Sequence, residues 1–363
     1  MAIFTDVFED VTKQGRKIPT SDYHKTGVHP IIDQGQSAIA GYTDETDGLF
    51  TDVPAIIFGD HTRVVKYADA PCFLGADGVK LLKAKIANSN YKYLYYVLSN
   101  ANIPNTGYNR HFKWLKEIDI PLPNADEQQK IVDTLDKISE LITLRKEQLA
   151  KLDQLVKSRF IELFGDVIGN SKAWQMRVFS DIASSRLGKM LDTKQQTGKY
   201  SYPYLANFNV QWFRFDLENL NQMDFDEDDR IEFELRDGDL LVCEGGEIGR
   251  CAVWHNEKQP CFFQKALHRV RCDRQIVHPD YLAWWFKYNC DHDGFAAIAG
   301  AKATIAHLPG AKLKQLQVAV PPLELQEQFA VFLKQTDKSK LAIQQSLNKL
   351  ETLKKSLMQE YFE

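Results

Sequence analysis

The chain has 363 residues, 44% of them apolar, and a formal net charge of −4 at pH 7. That leaves room for two or three globular domains and excludes a disordered chain, or a strongly basic one that would hold nucleic acid by overall charge. No stretch approaches the roughly 20 apolar residues that cross a bilayer, and the N-terminus lacks a basic region followed by an apolar run, so a cytoplasmic chain is expected. Cys72, Cys243, Cys251, Cys261, Cys272 and Cys290 form no C-x-x-C pair and have no His at ligand spacing, so reduced thiols are expected and no metal site.

Residues 1–122 alternate short β-rich runs with turn residues and read as mixed α/β. Val7-Phe8-Glu9-Asp10-Val11 is followed by Gly15 with basic neighbours, Arg16 and Lys17. Arg63, Lys66, Lys80, Lys83, Lys85 and Lys92 have only Asp69 and Asp77 nearby in sequence, which predicts local positive surface. Asn105-Thr106-Gly107-Tyr108-Asn109-Arg110-His111 then packs amides, an aromatic and two potential cations into one loop. Asn pairs bidentately with adenine, Arg with guanine, and Tyr or Thr can touch phosphate or a thymine methyl. An ordinary polar surface loop has the same composition.

Residues 123–166 read as a long helix. Pro121 and Pro123 end the preceding strand, and Asp126 with Gln129 is a capping-box pattern. Ile131, Leu135, Ile138, Ile142, Arg145, Leu149, Leu152, Val156, Arg159 and Leu163 alternate in steps of four and three, a coiled-coil seam. Such a helix is roughly 57 Å long, more than a small domain can wrap, so it needs a helical mate. The alternative is that each long helix packs on its own domain.

Residues 167–322 repeat the mixed α/β pattern: Val178-Phe179-Ser180-Asp181-Ile182 echoes residues 7–11, and Gly188 again has basic neighbours, Arg186 and Lys189. Lys194 and Gln195 sit on an expected loop before Tyr200, Tyr202, Tyr204, Asn207, Asn209, Gln211, Trp212 and Arg214, which read equally as polar contacts or as an amphipathic strand. Leu235-Arg236-Asp237-Gly238-Asp239-Leu240-Leu241-Val242 is a turn feeding a strand. Glu244-Gly245-Gly246-Glu247-Ile248-Gly249-Arg250 leads to Cys251-Ala252-Val253-Trp254, so a β-hairpin is expected where a phosphate loop would need a helix. Tyr281-Leu282-Ala283-Trp284 matches Tyr93-Leu94-Tyr95-Tyr96, and Lys302, Thr304 and His307 hold the place of the 105–111 loop.

Residues 323–363 repeat the long helix. Leu115, Ile118, Ile120, Pro123, Gln128, Ile131 and Leu135 recur as Leu313, Leu316, Val318, Pro321, Gln326, Phe329 and Leu333 at an offset of 198. Farther on the matches Ile142 with Ile343, Leu149 with Leu350, Leu152 with Leu353 and Val156 with Leu357 give an offset of 201, as three inserted residues would produce. The second seam runs Phe329, Leu333, Thr336, Lys340, Ile343, Leu347, Leu350, Lys354, Leu357 and Tyr361. The plan is globular, helix, globular, helix, a duplication of domain plus connector, with antiparallel helix pairing and an approximate twofold expected.

No catalytic constellation accompanies this plan. The chain has no adenosylmethionine glycine loop, no N-P-P-Y or D-P-P-Y, no G-x-x-x-x-G-K-S/T, and one P-D, Pro279-Asp280, that leads into an aromatic helix. The histidines are scattered without companions. Recognition rather than chemistry is expected.

The segment Ile118 to Leu135, with I-x-I-P-L-P before E-Q-Q-K-I-V-D-T-L-D, resembles the central region of specificity subunits of type I restriction-modification systems. Pro321-Pro322-Leu323-Glu324-Leu325-Gln326 resembles their distal region, and Leu235–Val242 with Gly249-Arg250 their second target-recognition domain. The first domain offers only Ile57-Phe58-Gly59-Asp60 in place of a G-D-x-L strand. The resemblance implies a chain without catalysis of its own, whose domains 1–122 and 167–322 each read half of a split duplex DNA target across a spacer set by the helices. It implies docking of two modification subunits, which use S-adenosylmethionine to methylate adenine, and of restriction subunits, which use ATP and Mg²⁺. The candidate DNA contacts are then Arg16, Lys17, Arg63, Asn105, Thr106, Tyr108, Asn109, Arg110, His111, Arg186, Lys189, Lys194, Gln195, Asn207, Asn209, Arg250, Lys302, Thr304 and His307. The competing expectations are a protein scaffold that ignores DNA, and a nuclease or methyltransferase with an unfamiliar site.

Overall fold

The computed structural model describes residues 1–75, 78–192, 196–296 and 307–362. Two compact units emerge, one of residues 1–147 with 343–363 and one of residues 148–342, so each unit takes in half of each long helix.

In the first unit the strands are β1 (Ala2–Ile3), β2 (Phe8–Asp10), β3 (His29–Ile32), β4 (Gly41–Thr43), β5 (Ala55–Gly59), β6 (Val65–Ala68), β7 (Phe73–Leu74), β8 (Val79–Ala84) and β9 (Asp119–Ile120). They form an antiparallel sheet of order β2-β8-β5-β6, a smaller sheet β4-β3-β7 whose β3 and β7 are parallel, and a pair β1-β9. β5 is the central apolar strand, Ala-Ile-Ile-Phe-Gly, and every residue of it is buried.

In the second unit they are β10 (Gln175–Val178), β11 (Ala183–Leu187), β12 (Ser201–Leu205), β13 (Val210–Gln211), β14 (Arg214–Phe215), β15 (Asn221–Asp224), β16 (Leu240–Cys243), β17 (Cys251–Val253), β18 (Phe262–Phe263), β19 (Leu267–Cys272) and β20 (Gln317–Val320). The sheets are β11-β19-β16-β17, β15-β12-β18 and β10-β20, strand for strand the topology of the first unit, with the ribbon β13-β14 added. The duplication read from scattered sequence matches is thus a duplication of the whole fold.

Each unit stacks an aromatic helix on its larger sheet. Tyr91–Asn100 starts at Asn90, whose side chain accepts from the Tyr93 amide, and buries Tyr93, Leu94, Tyr96, Val97 and Leu98. Pro279–Asp291 starts with Pro at the first helical turn, where its missing N–H leaves no bond unmade, and buries Tyr281, Leu282, Trp285 and Phe286. The Tyr93 hydroxyl donates to the Pro121 carbonyl at 2.9 Å and the Tyr281 hydroxyl to Ala319 at 2.5 Å, so the same tyrosine ties the same strand exit in both units.

The long helices are Ala125–Phe164 and Leu323–Phe362, 40 residues each. In the first unit Ile131, Val132 and Leu135 pack with Met358, Leu357 and Tyr361. In the second, Val156, Phe160 and Phe164 pack with Phe329 and Leu333. Early residues of one helix meet late residues of the other, so the pair runs antiparallel within each unit. Lys146–Glu351 at 2.9 Å and Lys340–Asp153 at 2.7 Å add charge pairs across it. The seam positions are buried or half-buried in both helices: Ile131, Leu135, Ile138, Ile142, Leu149, Leu152 and Val156 in the first, Phe329, Leu333, Ile343, Leu347, Leu350 and Leu357 in the second.

Two expectations need correction here. The shift to an offset of 201 does not occur: both ends of the helices are related by 198 and so is every seam position, down to Leu163 and Tyr361. Leu353, paired with Leu152 by the shifted offset, is 47% exposed. Leucine-rich heptads align with themselves at several offsets, and only burial selects the right one. The first helix is also capped by Asn124, whose Oδ1 accepts from the Glu127 amide at 3.0 Å, rather than by Asp126. Its other end is closed by Gly165 at φ +71°, and by Lys172 Nζ and Trp174 Nε1, which donate to the carbonyls of Glu162, Leu163 and Phe164.

Candidate nucleic-acid interface

The first unit builds its site around the turn of the β5–β6 hairpin. Asp60, at its start, is buried and accepts from the Phe112 amide at 2.7 Å. Its carbonyl accepts from the His111 amide at 2.8 Å and from His111 Nδ1 at 2.9 Å. Arg63, in the left-handed region at φ 63°, donates to the Ile103 carbonyl at 3.1 Å. Both ends of the loop 104–110 are therefore fixed to one hairpin turn. Between them Asn105, Thr106, Tyr108, Asn109 and Arg110 are exposed.

The second unit repeats the arrangement with other residues. The glycine-rich run 244–250 is the turn joining antiparallel β16 and β17, as its spacing predicts. Asn207 Nδ2 donates to the Gly245 carbonyl at 3.0 Å, and Arg250 Nη2 donates to Asn207 O at 3.1 Å and Oδ1 at 2.8 Å. His307 bridges Gly245, and the Leu308 amide donates to Glu244 O at 2.7 Å. Three candidates far apart in sequence, Asn207, Arg250 and His307, thus converge on one turn, the counterpart of the turn that holds the 105–111 loop. Lys194, Gln195, Lys302 and Thr304 lie outside the described residues.

Several candidates turn out to be occupied within the fold. His111 and Asn209 are corrections. Each is fully buried, His111 bonded to Asp60 and Asn209 spanning Ala206 N and Asp216 O, because each closes a turn of backbone that would otherwise leave buried polar groups unpaired. Arg16 pairs with Glu45 at 2.8 Å, Arg186 with Glu232 at 2.7 Å, and Lys189 with Asp229 and the Asp224 carbonyl. Their glycines serve packing: the Lys17 backbone bridges Leu74 and that of Lys189 bridges Gln264, and a Cβ on Gly188 would fall 2.4 Å from the Gln264 carbonyl.

Four of the six cations in the positive run from Arg63 to Lys92 are likewise paired with acids distant in sequence, while Arg63 and Lys85 donate to backbone carbonyls. Lys66 pairs with Asp33 at 3.3 Å, Lys80 with Asp10 at 2.9 Å, Lys83 with Asp52 at 2.8 Å and Lys92 with Asp136 at 3.3 Å. Burial holds the Lys66 ammonium below the usual lysine pKa. Asp60 and His61 were not among the sequence candidates. Their signal was present in the charged, polar close to an otherwise apolar strand.

Between the aromatic helix and a long helix, at matching positions, the first unit has a cleft of about 910 Å³ and the second one of about 620 Å³. The alignment that sets Tyr93 against Tyr281 sets Lys92 against Asp280, and the helix repeat sets Asp136 against Lys334. The two clefts therefore carry opposite charges at matching positions. Burial raises the carboxyl pKa of Asp280 and Asp337 in the second and lowers that of the Lys354 ammonium in the first.

Among the described residues no group of three or more His, Cys, Asp or Glu could hold a metal ion, and no helix is long and apolar enough to cross a membrane. The cysteines are free, and burial pushes the thiols of Cys72 and Cys243 up to about 11 and that of Cys261 to about 12.

Comparison with known proteins gives one consistent result. The chain is 29% identical over 178 residues to the specificity subunit of the type I restriction enzyme EcoR124I/EcoR124II of Escherichia coli, covering 43% of this chain and 44% of that one. It is 24% identical over 193 residues to a putative type I restriction enzyme MjaX specificity subunit of Methanocaldococcus jannaschii, covering 52% and 45%. The matched region thus spans less than half the length of these curated relatives. The crystal structure of the type I restriction-modification system S subunit from M. genitalium shares the fold, with a TM-score of 0.63 at 16% identity over 99% of this chain and 95% of that one. A solved structure from work on complex assembly and conformational transition of the type I R-M system gives 0.57 at 15%, over 99% and 95%. The model of the type I restriction modification DNA specificity domain matches residues 4–154 and 171–354, one match for each half of the duplication, and the chain belongs to that family.

Proposed function

We propose that this chain is the DNA-recognition subunit of a type I restriction-modification complex, with no catalysis of its own. The observation that carries the reading is the repeated loop platform. In each unit one hairpin turn holds the segment ahead of the repeat, and in the first it leaves Asn105, Thr106, Tyr108, Asn109 and Arg110 in solvent on a braced loop. Amide, hydroxyl and guanidinium groups of this kind can pair with base edges and phosphates.

Two such platforms on one chain fit a bipartite, asymmetric duplex target with one half-site per unit. The antiparallel helices fit a connector that sets the spacer, since half-sites on one face of DNA lie about 34 Å apart or a multiple of it. Leu141, Leu144, Leu155 and Ile161 are exposed apolar residues on the first long helix, suited to covering by protein. Two modification subunits would dock on these helices and supply S-adenosylmethionine-dependent adenine methylation. Restriction subunits would add ATP and Mg²⁺ chemistry, all in the cytoplasm.

The test is to mix the chain with the modification subunit of its system, size the product by gel filtration with light scattering, and map methylated adenines on random duplex DNA. A complex of two modification subunits per chain, with methylation in a split sequence, is the expected result. A chain that forms no complex and ignores DNA would sink the reading.

A further inference from the structure

Tyr108 is 88% exposed, although a ring of its size ordinarily gains by burial. It is nevertheless held in place. The His61 ring lies against it with centroids 4.6 Å apart and planes 6° from parallel. His61 Nδ1 donates to the Asn109 carbonyl at 3.2 Å, which fixes the imidazole to the same loop. Within the loop, Gly107 N donates to Asn105 Oδ1 at 3.2 Å, Asn109 N to Gly107 O at 2.8 Å, and Asn109 Nδ2 to Thr106 O at 2.5 Å. At the tip, Gly107 has φ +78° and a Cβ built there would meet nothing within 4 Å, so the tip stands clear of the rest of the unit.

One face of the phenol is thus covered by an imidazole, and the other has no ring partner among the described residues. The rotamer and loop entropy of displaying it are already spent in the free protein, which is the condition under which a further stacking partner gains most. A nucleobase is a planar group of matching size, and base–aromatic stacking is tolerant of which base is present.

We propose that Tyr108 is a stacking residue for DNA and His61 its positioning residue. In the complex the free face of Tyr108 lies against a base at an opened or kinked step of the first half-site, so that this half is selected by how easily the step deforms as well as by base edges. The inference rests on the DNA-recognition reading above. It differs from a phosphate or base-edge contact through the phenol, because stacking needs the ring and not the hydroxyl.

The experiment uses the assembled complex with modification subunits and the duplex identified by methylation mapping, with 2-aminopurine placed in turn at each purine of the first half-site except the methylated adenine, which the modification subunit itself takes out of the stack. Wild type should raise the fluorescence at one step, and Tyr108→Ala should abolish that rise and weaken binding about 10- to 100-fold. Tyr108→Phe should bind like wild type. His61→Ala should lose part of the affinity and His61→Phe regain it. The dependence on salt should stay unchanged throughout, since no phosphate contact is removed.

Binding by Tyr108→Ala equal to wild type overturns the proposal, and so does a Tyr108→Phe variant as weak as Tyr108→Ala, which would assign the contact to the hydroxyl. Those outcomes leave the DNA reading standing. A wild-type complex that does not bind the duplex overturns the DNA reading itself.

Discussion

Gln326 donates from Nε2 to the Pro321 carbonyl at 2.7 Å, reaching back across the helix start to a group that no backbone N–H satisfies. Gln128 makes the same bond to Pro123 at 2.9 Å, so the repeated P-x-x-x-x-Q is a device for entering a helix from a strand. Gln326 does more than its counterpart: it is fully buried, donates also to Ile276 O at 3.2 Å and accepts from His278 N at 2.8 Å. Gln326→Leu should therefore cost about 2–4 kcal/mol, through buried groups left unpaired, and Gln128→Leu only about 1. Urea unfolding with an unchanged slope would measure both. Equal losses would mean the extra bonds contribute nothing.

His268 is 1% exposed and its Nε2 donates to the Leu308 carbonyl at 3.0 Å, so it sits in the core as the neutral ring. Burial, the largest influence, holds its pKa below the usual 6.5. As the pH falls below about 6.5 the unfolded chain takes up a proton there before the folded one does, so stability is full above that pH and is lost on acidification toward the depressed folded value. His268→Gln keeps an amide donor and removes the titration. Thermal melts at pH 7.5 and 5.5 should show a smaller acid loss in the variant than in wild type. His278, also held low by burial, and Asp280 are present in both chains and cancel in the comparison. An identical acid loss would exclude His268 as the source.

Arg110 and Arg250 were equal candidates in sequence and differ in the fold. Arg110 is exposed, whereas the Arg250 side chain is 16% exposed and spends its guanidinium on Asn207. If the units read DNA, Arg110→Ala should reduce the slope of log affinity against log salt by about one, as the loss of one phosphate contact does. Arg250→Ala should weaken binding with the slope unchanged, since it releases the Asn207 loop rather than a phosphate. A slope change for Arg250 alone would reverse the assignment.

These contrasts mark what sequence could and could not reveal. The plan of two domains and two helices was readable because Pro123 and Gln128 recur as Pro321 and Gln326, and because seams have a period. The 244–250 hairpin was readable because an apolar strand follows it. The binding candidates were less so, because charge pairing is decided by tertiary contacts: Lys66 and Asp33, or Arg16 and Glu45, are 33 and 29 residues apart. The same holds for Gly59-Asp60, taken for a weak form of Gly238-Asp239. Topology puts the first pair at the end of β5 and the second before β16, the equivalent strand, so they are not counterparts. Asp60 and His61 instead find their hydrogen-bond partners, His111 and Asn109, in a loop some fifty positions away.

The uniform helix offset can be tested by mutation. Leu347 and Leu353 are both leucines in the C-terminal half of the second long helix, and periodicity alone allows either to face the partner. Leu347 is 5% exposed and matches Leu149 of the first seam, while Leu353 is 47% exposed and Lys354 takes the seam position beside it, its ammonium 5.8 Å from the Tyr96 ring. Leu347→Ala removes buried methyl groups and leaves a cavity between two helices that cannot easily close, a loss of about 2–4 kcal/mol. Leu353→Ala should stay within about 0.5 kcal/mol of wild type, and alanine's higher helix propensity could offset part of even that. Chemical denaturation of the two variants side by side decides it. A large loss at Leu353 with none at Leu347 would restore the three-residue insertion, because only a shifted register would turn Leu353 inward.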